Sequence, residues 1–569
     1  MKNFNPRTML WLIFASSLIL LWSNYQASLA PKTAVQTTQN ATTNTGTAPA
    51  NAAPAAGASG TATPTGALSL SGQPLVLEND VLQLNINTQG GVVQYAMLKQ
   101  FFNSKNYALN TVLFNSKSQN PDVISPNEMY AGRSGLTDVG LDHTTQFTAD
   151  TPSAVLQEGQ NEAKLVLSAQ NNGVTLKKTY TLKRGSYLMD VNYEVENGSA
   201  QAIKPDVYME LVRDGSQIGD SKFYVTYTGP VVYNEDNKFK KVHFEDIAKG
   251  KQDYTTQAKT GWVGMLQHYF VSAWVVPETR ERTFYTGVIQ SGSTPLDSVY
   301  RVGERISLGE IAPGAKTSFN SQLYVGPQDQ KVLAGIAEGL DLSVDYGWLT
   351  IIAKPLHWFL SFLHSFIPNW GWTIVALTIL VKLAFFPLAA ASYKSMAKMR
   401  KLAPKIKMLQ EQYGDDKMKL NQETMALYRA EKVNPAGGCL PILVQMPVFI
   451  ALFYVLQSSV EMRGAPWIGW IKDLSVPDPW YILPVLMVAT MLLQTWLNPK
   501  PADPTQEKMM WIMPFMFAFT FFFFPAGLVL YWVVSNIFSI VQQWVVTKKY
   551  GQYSLVVFIV LFGKPRITS

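Results

Sequence analysis

The sequence predicts a multi-domain membrane protein. It comprises an N-terminal signal-anchor helix, an exported β-sandwich, and a C-terminal bundle of five spanning helices with a cytoplasmic helical hairpin. Three observations predict it. Long apolar runs occupy only Met9–Trp22 and the region from Trp370 onward, although 47% of all 569 residues are hydrophobic. Much of the intervening stretch alternates apolar and polar residues, the period of half-buried strands. Basic residues concentrate beside the apolar runs, which membrane topology explains better than nucleic-acid binding does.

At the N-terminus, Lys2 and Arg7 precede the apolar run, and Ser28-Leu-Ala30 resembles a cleavage site. Pro31 directly after it hinders cleavage, so residues 1–30 are read as a retained anchor. Residues 31–66 are mostly Ala, Thr, Pro, Gly, Asn and Ser, with Lys32 as the only charge. Too little large apolar surface is present to offset ordering entropy, and the segment reads as a flexible tether.

Residues 67–328 read as the β domain. Val174, Leu176, Tyr180 and Leu182 alternate with Lys177, Thr179, Thr181 and Lys183. After Arg184-Gly185-Ser186 the period resumes at Tyr187, Met189, Val191, Tyr193 and Val195, which predicts a hairpin. Leu82, Leu84 and Ile86 repeat the pattern before Gly90-Gly91. Such alternation implies one wet face per sheet and a two-sheet sandwich. Cys439 is the only cysteine, so the domain is held by packing without an intrachain disulfide, and no multi-Cys metal site exists.

Residues 329–369 are read as an amphipathic interfacial helix. Val332, Leu333, Ile336 and Leu340 have helical spacing, and Tyr346, Trp348 and Trp358 suit headgroup level, with a break expected at Pro355. The core, 370–546, then carries five apolar segments near Trp370–Ala390, Leu440–Ser458, Trp480–Leu497, Met509–Phe524 and Ala526–Val546. Each approaches the ~20 residues that a spanning helix needs. Residues 391–436 form the predicted hairpin and 547–569 the tail.

Charge orients these spans. Residues 389–438 carry ten Lys/Arg against five Asp/Glu, and the tail from Thr547 carries four basic residues and no acid. The loop 459–479 has only Arg463 and Lys472 as basic residues. The hairpin and both termini are therefore expected in the cytoplasm and the β domain outside.

Lys382 lies within an otherwise uncharged apolar segment. An ammonium at that depth costs roughly 2.5–3.5 kcal/mol on insertion scales. Two readings fit: a stem that snorkels to the near interface, or a cation lining a polar cavity. Other spans add Thr378, Gln445, Gln457, Thr490, Gln494, Thr495 and Thr520, and a helical stripe at Trp532, Ser535, Asn536, Ser539 and Gln543. Singly these residues suit interhelical hydrogen bonds; together with a cation they suit a shared water-accessible groove. The spans hold no carboxylate, which disfavours an ion-coupled transporter. A positive groove suits anionic or polar peptide segments.

In the hairpin, Met396, Met399, Met408, Met418 and Met425 recur among Lys398, Arg400 and other basic residues. This fits either core packing of two helices or adaptable apolar contacts with lipid headgroups or RNA nearby. No H-E-x-x-H, P-loop or G-x-S-x-G motif occurs. His357 and His364 are seven apart, roughly 10.5 Å on a helix, too far for one metal. No enzyme activity, cofactor, metal site or DNA partner is expected. A small-molecule transporter or membrane enzyme would need intramembrane carboxylates or a nucleophile constellation.

Several runs stand out together: Asn369-Trp-Gly-Trp372, Tyr393-Lys-Ser-Met-Ala-Lys-Met399, the run Asn434 to Phe449, and the run Phe524 to Asn536. Asp345-Tyr-Gly-Trp348, Gly261 to Gln267 and Asn85 to Gly91 extend the set into the exported domain. With these runs the chain closely resembles the YidC membrane protein insertases of Gram-negative bacteria. The resemblance implies a supersandwich-like periplasmic domain. It also implies an inner-membrane insertase and chaperone for nascent membrane proteins, acting alone or with the Sec translocon. The family's hydrophilic groove centres on a basic residue, usually arginine, at the position of Lys382, which keeps the charge but loses the bidentate fork. Substrate contacts fall on Thr378 and the Tyr531-Trp532 pair, where the second aromatic is Trp rather than the expected Tyr. With Gln445, Ser535 and Asn536 these form the expected groove lining. The hairpin, through Met396, Lys398, Met399 and Arg400, is implied to face ribosome or targeting machinery. Leu555–Phe562 is apolar where a short basic tail is expected.

Overall fold

The computed structural model describes residues 70–103, 108–116, 129–217, 226–414, 416–431, 433, 440–498 and 504–549. The expected anchor, tether and apolar tail, and Cys439, lie outside the described residues.

Two largely antiparallel sheets, of ten and nine strands, build the β domain. The expected hairpin forms with Val174–Lys183 against Leu188–Asn197, in register from Met189 opposite Leu182 to Asn197 opposite Val174. Gly185 sits in the turn at φ 67°, a left-handed conformation that glycine adopts without steric cost. Leu82, Leu84 and Ile86 are buried, as their alternation requires. The inward faces meet closely: a Cβ on Gly132 of the ten-stranded sheet would lie 3.2 Å from Leu323 of the nine-stranded one.

The expectation of one wet face per sheet does not hold throughout. Strands Asp206–Asp214, Gly229–Asn234, Gly261–Gln267 and Phe270–Val275 are buried on both faces almost along their length. On the nine-stranded sheet the cover is the chain that follows the sandwich. Trp262 stacks on Tyr233 and donates from Nε1 to the Glu338 carbonyl, and Lys241 pairs with Asp345. One apolar cluster therefore runs from Tyr233, Trp262 and Tyr324 through Leu333 and Leu340 to Leu349, Leu377 and Leu528 in the helical part.

Residues 329–369 are thus not one interfacial helix. A short helix at Gln330–Ala334 and two 3₁₀ turns, Leu340–Ser343 and Gly347–Leu349, wrap the sheet before α1, Thr350–His364. Pro355 lies inside α1 and does not break it. Helix α1 buries Ala353, His357 and Leu360, and exposes Ile351, Trp358 and Phe362, with Trp348 and Phe366 beyond its ends. An apolar stripe facing outward is the feature of an interfacial helix that survives.

The remaining helices are α2 (Trp370–Ala384), α3 (Phe386–Tyr413), α4 (Lys417–Ala430), α5 (Leu440–Ser458), α6 (Ile482–Leu497), α7 (Pro504–Phe521) and α8 (Ala526–Lys549). The segment expected to continue from Trp370 to Ala390 breaks at Phe385. Pro387, in the first turn of α3, supplies no backbone N–H, and the helices on either side differ in direction by 64°. The hairpin's first helix accordingly begins at Phe386, earlier than 391. Helices α3 and α4 pack through Leu402, Ile406, Leu427, Tyr428 and Val433. Among the described residues, Ala526–Val546 alone is long and apolar enough to cross a membrane unaided, with the bent α2–α3 pair as a second. Gln445–Ser458, Ile482–Leu497 and Lys508–Phe521 are shorter apolar helices.

Candidate functional site

Helix α2 presents Lys382 to the interior of the bundle. Asn369 caps its N-terminus by accepting from the Trp372 backbone N–H at 3.1 Å, and its amide also reaches the Pro466 and Trp467 carbonyls. Lys382 lies in the last turn, where the helix dipole favours a cation. Its Nζ donates to Gln445 Oε1 at 3.0 Å and to Ser539 Oγ at 2.7 Å. The side chain does not snorkel; it is buried, 8% exposed, against α5 and α8.

Those partners are themselves held. Ser539 Oγ donates to the Ser535 carbonyl at 2.8 Å, Gln445 Nε2 donates to Ser535 Oγ at 3.3 Å, and Gln542 Nε2 donates to the Lys382 carbonyl at 3.1 Å. Ser535, Ser539 and Gln542 follow i, i+4, i+7 spacing on α8. A cavity of about 120 Å³, room for several waters, opens beside the ammonium. Val381, Gln445, Gln494, Asn498, Ser539 and Gln542 form its walls together with residues of α3. Among the described residues no carboxylate lines it.

Lys382 and Gln445 thus come together as expected, with Ser535 bonded behind Gln445. Of the other expected lining residues, the Tyr531 hydroxyl reaches Gln445 and Ser535, whereas the rest point elsewhere. Thr378 Oγ1 donates to the Ile374 carbonyl at 2.6 Å inside the α2 packing. Asn536 Nδ2 donates to Thr490 Oγ1 at 3.2 Å, and Gln543 Nε2 to Leu497 O and Asn498 Oδ1 at 3.3 Å, so this edge of the stripe ties α8 to α6. Tyr531 and Trp532 pack on Phe449, and Trp532 also on Phe521. The single polar stripe is two stripes with different jobs, because α8 is wedged between α2 and α6. Gln494 and Ser539, already among the polar residues expected to share a groove, are at the cavity; Gln542, Ser392, Tyr393 and Asn498 join them without having been singled out, and for Gln542 the i, i+4, i+7 repeat in α8 was the available signal.

In the hairpin, Met396 lines the cavity, Met399 packs in the α3–α4 core and Lys398 is exposed, whereas the Arg400 side chain lies outside the described residues. Met408, Met418 and Met425 are exposed. Of the histidines, His357 Nε2 lies 3.7 Å from Glu461, and His364 stacks on Trp370. Among the described residues no three potential metal ligands cluster.

A large β-sandwich fused to apolar helices that pack around a neutral-lined cation defines a class of protein whose distinctive site is a polar cavity inside a helical bundle. Comparison with known proteins gives the family. The 60Kd inner membrane protein family matches residues 362–552, and the YidC periplasmic domain family matches residues 75–359. The membrane protein insertase YidC of Cupriavidus necator is 48% identical over 563 residues, covering 96% of this chain and 98% of the relative. That of Ralstonia nicotianae is 47% identical over 559 residues, covering 96% and 98%. A crystal structure of an active YidC insertase with its first transmembrane domain resolved aligns at TM-score 0.39 and 19% identity, over 85% of this chain and 93% of that one. The chain belongs to the YidC family of membrane protein insertases. Its function is the insertion of membrane proteins, it is not an enzyme, and its place is the inner membrane with a periplasmic β domain.

Proposed function

We propose that the Lys382 cavity is where this insertase receives the polar exported segment of a nascent membrane protein, alone or with the Sec translocon. In this reading residues 1–30 anchor the chain and 31–66 tether residues 67–328 in the periplasm. Residues 370–546 form five spans, with both termini and the α3–α4 hairpin in the cytoplasm. The hairpin meets ribosome and targeting machinery, and α1 and the apolar outer surfaces meet lipid. The observation that carries the reading is the neutrality of the ammonium's partners: Gln445 and Ser539 orient Lys382 without cancelling its charge. An unsatisfied peptide group in hydrocarbon costs several kcal/mol. Water and hydrogen bonds part-way across shorten the dry path, and a positive field favours acidic segments.

Protease protection of a client with an acidic exported segment tests this. Lys382→Arg preserves insertion. Lys382→Ala weakens it and Lys382→Glu weakens it further. A carboxylate about 7 Å from the ammonium gains about 2.4 kcal/mol at an effective dielectric of 20. Normal insertion by the Glu variant refutes the charge-attraction reading.

A further inference from the structure

We propose that the first three turns of α3 are a lid over the Lys382 cavity, hinged at Phe385, and that Tyr393 latches it to α8. This rests on the reading that the cavity receives client segments. Phe385, Leu388, Ala389, Ser392, Tyr393 and Met396 all line the cavity. Leu388, Ala389, Ser392, Tyr393 and Met396 follow the spacing of one continuous face of α3, with Phe385 just before its start. The packing of α3 against α4 begins further on, at Met399, Leu402 and Ile406. The cavity beneath, about 120 Å³, is well short of the ~300 Å³ at which pockets begin to enclose a drug-sized ligand. A peptide segment reaches the ammonium only when the wall formed by α3 moves.

The local geometry suits such movement. Helix α2 ends at Ala384, and Phe385 lies between the helices at φ −89°, ψ 4°. Pro387 leaves the ladder of backbone hydrogen bonds interrupted at the 64° bend, so a change of angle there breaks few bonds. The latch spans the same gap. Tyr393 Oη donates to the Ser539 carbonyl at 3.3 Å, and the hydroxyl of that same Ser539 accepts from Lys382. Lid and cation therefore share one residue of α8. Because α3 continues from the lid into the hairpin, displacement of the hairpin is transmitted to the cavity mouth.

The test uses the full chain in inverted membrane vesicles, in a Cys439→Ser background. With Gln494→Cys as reporter, Tyr393→Phe raises the rate of labelling by a membrane-impermeant maleimide several-fold, since only the latch hydroxyl is removed. Unchanged labelling overturns the latch. In a second arm, Ala389→Cys and Gln494→Cys are joined by a short bifunctional reagent with a reducible link. Client insertion stops and returns on reduction. Insertion at the unlinked rate while the link is intact overturns the lid. If Lys382→Glu impairs insertion but the linked protein inserts normally, the lid fails and the cavity stands; if Lys382→Glu is silent, the cavity reading fails first.

Discussion

Lys178 gives a measurable handle on the β domain. It is the fifth residue of strand Val174–Lys183, on the inward face between Leu176 and Tyr180, and fully buried. Its Nζ donates to the Gly90 carbonyl at 2.8 Å, the Ser134 carbonyl at 2.7 Å and Ser134 Oγ at 3.3 Å, and lies 5.1 Å from the Phe147 ring centroid. No carboxylate is among these partners. Burial therefore lowers its pKa from 10.5 to about 7, with Asp142 offsetting only part of the effect. Below pH 7 both folded and unfolded chains carry the proton and the full burial penalty applies. Between pH 7 and 10 the folded chain has lost the proton that the unfolded chain keeps, so stability rises with pH by about 1.4 kcal/mol per unit. From pH 7 to 9, starting from half deprotonation, this amounts to roughly 2.3 kcal/mol, or a rise of roughly 5–9 °C in the melting temperature of a domain this size. Neighbouring His143, pushed by burial down to about 3, stays neutral throughout that window. Lys178→Met keeps the stem and removes the titration. Calorimetry of the β-domain transition of the full chain in detergent, at pH 6 to 9, gives the difference between wild type and variant. A difference that does not change with pH refutes the reasoning and leaves Lys178 charged throughout.

Two further outcomes follow from contacts elsewhere. Asn536→Ala removes the bond to Thr490 and costs about 1 kcal/mol, as interhelical bonds in membranes do. A double-mutant cycle with Thr490→Ala, read by denaturant unfolding in detergent, shows positive coupling, and additive effects contradict the assignment of Asn536 to helix tethering. Arg463 lies 5.6 and 5.4 Å from the Tyr269 and Phe270 rings and donates to the Phe102 carbonyl at 3.1 Å. Arg463→Ala speeds hydrogen exchange in the loop 459–479, while exchange in the sandwich core is unchanged. Equal protection of that loop in both proteins shows that the seam is held without Arg463.

The sandwich hairpin was legible because strand alternation is a local property. Leu82, Leu84 and Ile86, and Val174, Leu176, Tyr180 and Leu182, each carry their burial in their own spacing. That same spacing places Lys178 on the inward face, where an expectation built on apolar residues alone passed over it. The positions of the apolar helices were legible for the same reason, but the bend at Phe385 was not, since a proline such as Pro355 also sits inside an unbroken helix. Double-faced burial of Gly261–Gln267 was not legible, since it depends on chain about 75 residues further on folding back over Trp262.

For the cavity, the sequence by itself determined that a cation and several amide and hydroxyl side chains lie within apolar helices. Which of them meet was decided by the tertiary structure. Asn536 and Ser539 are neighbours on α8, yet one bonds Thr490 of α6 and the other Lys382 of α2. Helical spacing defines a face only to within the width of a stripe, and a helix packed between two others divides that stripe between them. The choice between snorkelling and an inward ammonium was settled the same way. A lysine stem reaches in either direction, and only the presence of Gln445 and Ser539 within hydrogen-bonding distance gives the inward ammonium acceptors.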